Sequence, residues 1–399
     1  MIKLLLLGGS TQQIPPIEYA KSKGYYTILC DYLPDNPGQH VADKYYCVST
    51  TDKEAILEVA INENIDGILA YASDPAAPTA AYVAEKLSLP TNPYRSVELL
   101  SQKHLFRKFL KENGFYTPNS VCFSEHLKHY QEQINNLKLP VMVKPADSSG
   151  SKGVTFVNDY ADFLSAFNTA SNISRCKVVQ VEEYIPMDHE YLVGGDIFVI
   201  DGKVVFWGLL NCHRDVAVNP LVPVGKSYPL LLSKNRIGLI RDEIQKLMTK
   251  LNIMFGAFNV ELIFDKDDKL YFIEMGPRNG GNMIPDLLGM ISGKNIVGAS
   301  VECALGNLDV DISFKEKQCF YATHNLHSKS NGIYKGINFS DEIKQYIVKK
   351  ILYKNEGDRV DFFDSANKAL GIVFFKFPNA KIMFDCLTSL TEHIKYTIT

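Results

Sequence analysis

Residues 258–281 read FNVELIFDKDDKLYFIEMGPRNGG, two apolar stretches around Lys266-Asp267-Asp268-Lys269. That pattern predicts a β-hairpin. With Asp267 and Asp268 at the tip, 263 faces 272 and Glu261 faces Glu274. Directly opposed residues hold their Cβ atoms about 4.5–5.5 Å apart. Leu262, Ile263, Phe264, Tyr271, Phe272 and Ile273 make both faces apolar, so the sheet is covered on both sides and the glutamates are partly buried. Adjacent buried carboxylates repel, so one must hold a proton or a cation must sit between them. All-oxygen ligation that leaves room for phosphate oxygens suits Mg²⁺. Two strand-end glutamates paired with lysines are the alternative reading, and a different turn type would shift the register.

A second segment, LPVMVKPADSSGSKGV at 139–154, ends a strand at Lys144 and opens a small polar loop. Gly150 and Gly153 let backbone N–H groups approach an anion, Ser148, Ser149 and Ser151 add hydroxyls, and Lys152 adds charge. Such a loop can cradle phosphates. It is not a Walker A loop, since no Gly-Lys-Ser/Thr opens a helix here; a plain serine/glycine hairpin reads equally well. A competing nucleotide site, LLLLGGSTQQ near the N-terminus, has only Gly8 and Gly9, with Gln13 where a third glycine belongs. The dinucleotide fingerprint is therefore absent, which disfavours a nicotinamide dehydrogenase.

These segments need elements to position them. At about 100–200 residues per domain, the chain should hold roughly two to four. The first hundred residues alternate strands (2–7, 26–30, 67–71) with helices (ending near 24, 53–64, 75–87). That order predicts a parallel, doubly wound α/β sheet. Ser73-Asp74-Pro75 and Asn92-Pro93 read as helix N-caps. Strands at 141–144, 154–157, 178–182, 190–199, 204–210 and 258–264, with helices at 160–168 and 237–251, make the middle of the chain α+β. The last segment, from about 310, holds a strand at 371–376 and a final helix near 387–396.

Taken in order, SQKHLFRKFLKENGFYTP, LPVMVKPADSSGSKGV, VVQVEEYIPMDHEYLV and VELIF…YFIEMGPR resemble the motifs of the ATP-grasp superfamily. Biotin carboxylase, D-alanine–D-alanine ligase and the carbamoyl phosphate synthetase large chain are members. The resemblance covers residues 1–310 and implies a pre-ATP-grasp domain at 1–115, a lid at 116–188 and a catalytic floor at 189–310. Residues 311–399 resemble the C-terminal α+β domain of biotin carboxylase and amino-acid ligases. ATP and Mg²⁺, or Mn²⁺ in its place, are the implied cofactors. By resemblance Lys103 and Lys144 contact ATP phosphate, with the loop Ser148, Ser149, Gly150, Ser151 and Gly153. Glu182, Glu183, Tyr184 and Ile185 face adenine, and Glu190 the ribose. Glu261 and Glu274 hold metal, and Arg278 binds phosphate or substrate. Family members usually carry an asparagine as third metal ligand where this chain has Gly276; Asn279 stands nearby and is the expected replacement. Ser73, Asp74 and Arg214 are expected beside the carboxylate substrate.

The implied reaction is ADP-forming ligation. A carboxylate, such as an amino acid or sugar acid, becomes an acyl phosphate, and an amine displaces the phosphate. A carboxylase or carbamoyl-phosphate-type reaction with bicarbonate is the nearest rival, and a non-catalytic ATP-binding module is another. A net charge of −3 gives no basic footprint for nucleic acid or anionic membrane. Eight scattered cysteines without a CxxC pair predict neither a zinc site nor a disulfide framework, and they fit a reducing cytosol. The opening MIKLLLLGGS reads as a buried strand, since its apolar run is too short for a signal peptide. The resemblance implies a homodimer.

Overall fold

The computed structural model describes residues 1–124 and 130–399. The first unit is a parallel sheet in the order Lys44–Cys47, Tyr26–Asp31, Lys3–Leu7, Gly67–Leu69. Its central strand, KLLLL, buries nearly every side chain, because helices cover both faces. The edge strand Lys44–Cys47 is not anticipated in the sequence; its four residues, KYYC, remain half-buried or exposed. A single solvated strand of that length carries too little pattern to read.

A four-stranded antiparallel sheet follows, ordered Ser120–Phe123, Val179–Glu183, Val141–Pro145, Thr155–Val157. Helix Phe163–Ile173 packs on it through Phe163, Ala166, Phe167 and Ala170. The largest element is an eight-stranded sheet. Five of its strands come from the middle of the chain: Leu270–Gly276, Gly256–Phe264, Leu192–Ile200, Lys203–Arg214 and Pro223–Tyr228. Helix Lys234–Lys250 covers one face, and helices Ile284–Ser292 and Ile296–Ala304 cover part of the other. The uncovered remainder of that second face carries Glu261 and Glu274.

The C-terminal residues extend this same sheet with Phe320–Leu326, Gly371–Phe377 and Ile347–Leu352. They also form a small sheet of Arg359–Val360, Gly332–Phe339 and Ile394–Ile398. The expected final helix at 387–396 is corrected: helix Ala380–Thr388 and a short turn Leu390–His393 lead into a strand. Neither expected N-cap forms. Helix Tyr94–Ser101 starts after Pro93. The Asn92 side chain instead donates to the Phe255 carbonyl (2.7 Å) and accepts from Met254 N (2.8 Å), tying the first unit to the central sheet. Among the described residues no helix is long and apolar enough to cross a membrane.

Candidate active site

The hairpin places Glu261 opposite Glu274, but not by the expected route. Asp265 accepts from the N–H groups of Asp267 and Lys269, and Asp268 turns into the left-handed region at φ 57°. The ladder therefore leaves the tip one residue away from expectation, with Leu262 rather than Ile263 facing Phe272. A register break between Leu262 and Glu261 then absorbs one residue and restores the pairing of Glu261 with Glu274. An inserted residue leaves backbone groups unpaired. Here Arg107 donates to the carbonyls of Phe272 (2.9 Å) and Ile273 (2.8 Å), which fixes the break.

Helix Lys103–Glu112 brings two cations to this region from one face, spaced i, i+4. Lys103 opens the helix; its Nζ donates to Glu274 Oε1 (2.9 Å) and to the Ser148 carbonyl. Arg107, one turn on, also donates from Nε to Glu182 Oε2 (2.8 Å). Lys144 Nζ meets the other Glu182 oxygen. Arg107, Lys144 and Glu182 are all buried. Burial alone would raise the Glu182 pKa, but Arg107 and then Lys144 outweigh it and hold the carboxyl at about 2. Burial pushes Lys144 below the ordinary lysine range, against the pull of Glu182. The Glu182 carboxylate is thus held by two cations. Sequence reasoning missed Arg107, although its i+4 spacing from Lys103 was there to be read.

Between the two sheets lies a cleft of about 290 Å³. Lys103, Lys144, Ser148, Ser149, Ser151, Glu182, Glu183, Tyr184, Ile185, Arg214, Glu261 and Glu274 all line it. Met142, Met187, Leu192, Ile263 and Ile273 supply its apolar walls. Gly150 and Gly153 belong to the loop but do not line the cleft. Glu190 is exposed and does not line the cleft. The serine loop is docked rather than free: Ser151 Oγ donates to the Leu221 carbonyl (2.7 Å), which also accepts from Arg214.

Residues 108–282 match the model of the ATP-grasp domain family. The chain carries an ATP-grasp domain. Carbamoyl phosphate synthase large chain of Pseudothermotoga lettingae is 26% identical over 293 residues, 69% of this chain and 26% of that protein. The chain thus spans about a quarter of the length of that relative. Formate-dependent phosphoribosylglycinamide formyltransferase of Haloquadratum walsbyi is 28% identical over 69% of this chain and 67% of its own. Among solved structures, an L-amino acid ligase from Bacillus licheniformis superposes with a TM-score of 0.83 at 19% identity, covering 100% of this chain and 99% of that one. A phosphoribosylglycinamide synthetase from Anaerococcus prevotii gives 0.77 at 22% identity, with full coverage of both. At these identities the structural likeness is one of fold.

The far corner of the ATP-grasp domain departs from expectation. Arg278 donates from Nε to Asp74 Oδ1 (2.7 Å) and from Nη2 to Asp74 Oδ2, and both side chains are largely buried. Asp74 therefore does not cap helix Ala77–Lys86, which starts from Ala76 without a side-chain cap, and the Ser73 carbonyl merely accepts from Ala77 N (3.2 Å). Gly276 makes the pair possible: a Cβ there would lie 2.5 Å from Asp74 Oδ1 and 3.1 Å from Arg278 Cζ. Asn279 is not gathered with the glutamates. It is buried, it lines a separate gap of about 100 Å³ against helix Ala77–Lys86, and its Nδ2 has no partner among the described residues. Nearby, buried Asp196 accepts from Gly280 N (2.8 Å) and Asn259 Nδ2 (2.9 Å). Burial still outweighs these bonds and pushes its pKa up to about 6.

The N-terminal glycine turn is filled from within. Gln13 donates to the carbonyls of Tyr71 (2.9 Å) and Leu7 (3.3 Å) and accepts from Ser10 N (2.9 Å). A Cβ on Gly8 would lie 2.1 Å from Gln13 Nε2. The space a pyrophosphate would need is taken by an amide side chain.

Proposed function

We propose that this chain is an ATP-dependent, ADP-forming ligase that converts a carboxylate to an acyl phosphate and passes the acyl group to an amine. The observation that carries this reading is the cleft that joins the Lys144 cation group to the facing Glu261 and Glu274. In this reading residues 116–188 form the lid and 189–310 the floor, with 1–115 and 311–399 flanking them. Backbone at Glu183, Tyr184 and Ile185 meets the adenine, with Met142, Leu192 and Ile273 as its apolar walls. Lys144, Lys103 and the hydroxyls of Ser148, Ser149 and Ser151 hold the phosphates through charge-assisted bonds. The loop 147–153 keeps water from the acyl phosphate.

Glu261 and Glu274 fit Mg²⁺. They are two half-buried carboxylates side by side, and Lys103 donates to one oxygen of Glu274. Among the described residues no group of three His, Cys, Asp or Glu side chains forms a preformed metal site. Phosphate oxygens would then complete the coordination, as this ion prefers. Bound there, Mg²⁺ would relieve the repulsion of the glutamates and neutralise charge on the transferred phosphoryl group. Arg278 stands close enough to Glu274 for that carboxylate to support its charge, and with Asp74 behind it adds positive potential where the acyl phosphate forms.

The test is ADP release by the full chain with ATP, Mg²⁺ and a panel of amino acids, sugar acids and bicarbonate, with and without an amine. Carboxylate-stimulated ADP release that yields an amide is the expected result. Tight binding of an ATP analogue without any stimulated release would make the chain a binding module and overturn the ligase reading. Stimulation by bicarbonate alone would favour the carboxylase-type rival.

A further inference from the structure

The two glutamates share a face because of one extra residue. On one side of the register break Leu262 faces Phe272, and on the other Glu261 faces Glu274, so Ile273 is the residue left over. In an unbroken ladder Glu261 would oppose Ile273, and Glu274 would oppose Val260. A slip of one residue turns every side chain to the other face of a sheet. Glu274 would then point beside Val260, which is fully buried in the core under helix Lys234–Lys250. The carboxylate pair therefore exists only while the extra residue stays at 273.

Arg107 answers the backbone groups that the break frees. It is 3% exposed, and each of its guanidinium nitrogens is engaged. Nη1 donates to the Phe272 carbonyl, Nη2 to the Ile273 carbonyl and Nε to Glu182. A buried carbonyl without a donor is costly, so these bonds favour the break at this position over others along the strand. Lys103, one turn earlier on the same helix, donates to the Glu274 carboxylate (2.9 Å). One helix thus grips Glu274 by its side chain and the two residues before it by their carbonyls. Arg107 does not line the cleft, so it acts on the site through the residues it holds.

We infer that Arg107 is a positioning residue for the metal site: it locks the break at Ile273, keeps Glu274 beside Glu261, and so sets how strongly the nucleotide-loaded protein takes up a divalent ion. The inference rests on the reading of Glu261 and Glu274 as Mg²⁺ ligands. The residue type matters, because a rigid guanidinium fork reaches two carbonyls and a carboxylate at once, whereas an ammonium donates from a single atom.

The experiment measures the affinity of the full chain for the ATP analogue AMP-PNP by calorimetry, in EDTA and in Mg²⁺, and takes the ratio. Wild type is compared with Arg107→Lys, which keeps the charge beside Glu182 and gives up the fork. Mg²⁺ should tighten binding about tenfold or more in wild type and less than about threefold in Arg107→Lys. A weaker metal-free affinity with the wild-type ratio intact would mean that Arg107 serves only Glu182, and it overturns the inference. Deletion of Ile273 is the second variant. It joins Phe272 directly to Glu274 and leaves the glutamates opposed with no break to hold. In that background Arg107→Lys should leave the ratio unchanged; an equal loss in both backgrounds overturns the positioning role. Should Arg107→Lys alone fail to fold, the deletion background decides: a folded double variant supports the inference and an unfolded one overturns it. If wild type binds AMP-PNP with no gain from Mg²⁺, it is the metal reading that fails. Amide exchange over 270–276 then still tests the hold on the break, with a rise of about tenfold expected in Arg107→Lys and unaltered exchange overturning it.

Discussion

The two ends of the cleft manage charge in opposite ways. At one end Arg107 and Lys144 converge on Glu182, all three are buried, and the group carries a formal surplus of one positive charge. At the other, Glu261 and Glu274 face each other and Lys103 bonds Glu274, so these three carry a formal surplus of one negative charge. The first end is complete without a ligand. The second is complete only when a cation arrives. A triphosphate bridged to a divalent ion would meet each surplus with its opposite, which a uniformly basic or acidic pocket could not do.

The sharpest way to break this comparison is to remove the anion of the closed end. Glu182→Ala leaves Arg107 and Lys144 buried without a counter-charge, which should cost about 3–5 kcal/mol of stability in urea unfolding. A loss comparable to a surface substitution would show that the group is not a unit. At the open end, Glu274→Gln should behave in reverse. The amide is nearly isosteric and removes a repulsion, so the fold should survive thermal unfolding unchanged or stabilised. ADP release should drop by about 10²-fold or more, as for loss of a group that acts on developing charge. Near-normal turnover would remove Glu274 from the metal site; a severely destabilised protein would make it a structural ion-pair residue of Lys103.

Lys144→Ala sharpens the comparison at the closed end, because Arg107 still balances Glu182. The protein should fold, while calorimetry should show affinity for an ATP analogue lower by about tenfold or more. Unchanged affinity would mean that Lys144 serves only Glu182. A smaller effect concerns pH. Asp196 has its pKa raised from 3.8 to about 6, so its proton is bound more tightly in the folded state. Its contribution is fully present below pH 3.8 and is lost as pH rises through about 6. Asp196→Asn should flatten that part of the stability profile; an unaltered slope between wild type and variant would assign it to other groups. Glu182 works in the opposite sense, its contribution being lost as pH falls from its ordinary value of 4.5 toward about 2. The smallest expected effect is in the serine loop. Amide exchange at 147–153 should slow when an ATP analogue binds, even though the Ser151 hydroxyl already ties the loop to the Leu221 carbonyl. Exchange already as slow as in the central sheet would count against a closing lid.

How much could be read from the sequence depended on how far apart the partners lie. The glutamate pairing was legible because both residues sit on one hairpin, even though the turn and the register break each moved the ladder by one residue. Two compensating irregularities cannot be seen in an alternation pattern; they need the Arg107 donors that hold the freed carbonyls. The serine loop and Lys144 were legible for the same local reason. Asp74 was not, because its partner is 204 residues away, and a carboxylate before a helix reads first as a cap. That Glu190 is exposed and off the cleft lining was not legible, because motif spacing says which strand a residue precedes, not which way it points. Gln13 read as a missing glycine, whereas its amide is what fills the turn.

Gly276 and Asp74 behave as one position written in two places. An asparagine introduced at 276, as the family resemblance would suggest, would collide with the Asp74 carboxylate and push Arg278 from its seat. A small residue introduced at 74 alone would leave Arg278 without its buried counter-charge and Gly276 beside an empty space. Homologous chains should therefore exchange the two together: glycine with aspartate, or asparagine with something shorter. A library built on this scaffold that varies either site singly will sample mostly broken corners, whereas one that couples them can move between the two solutions.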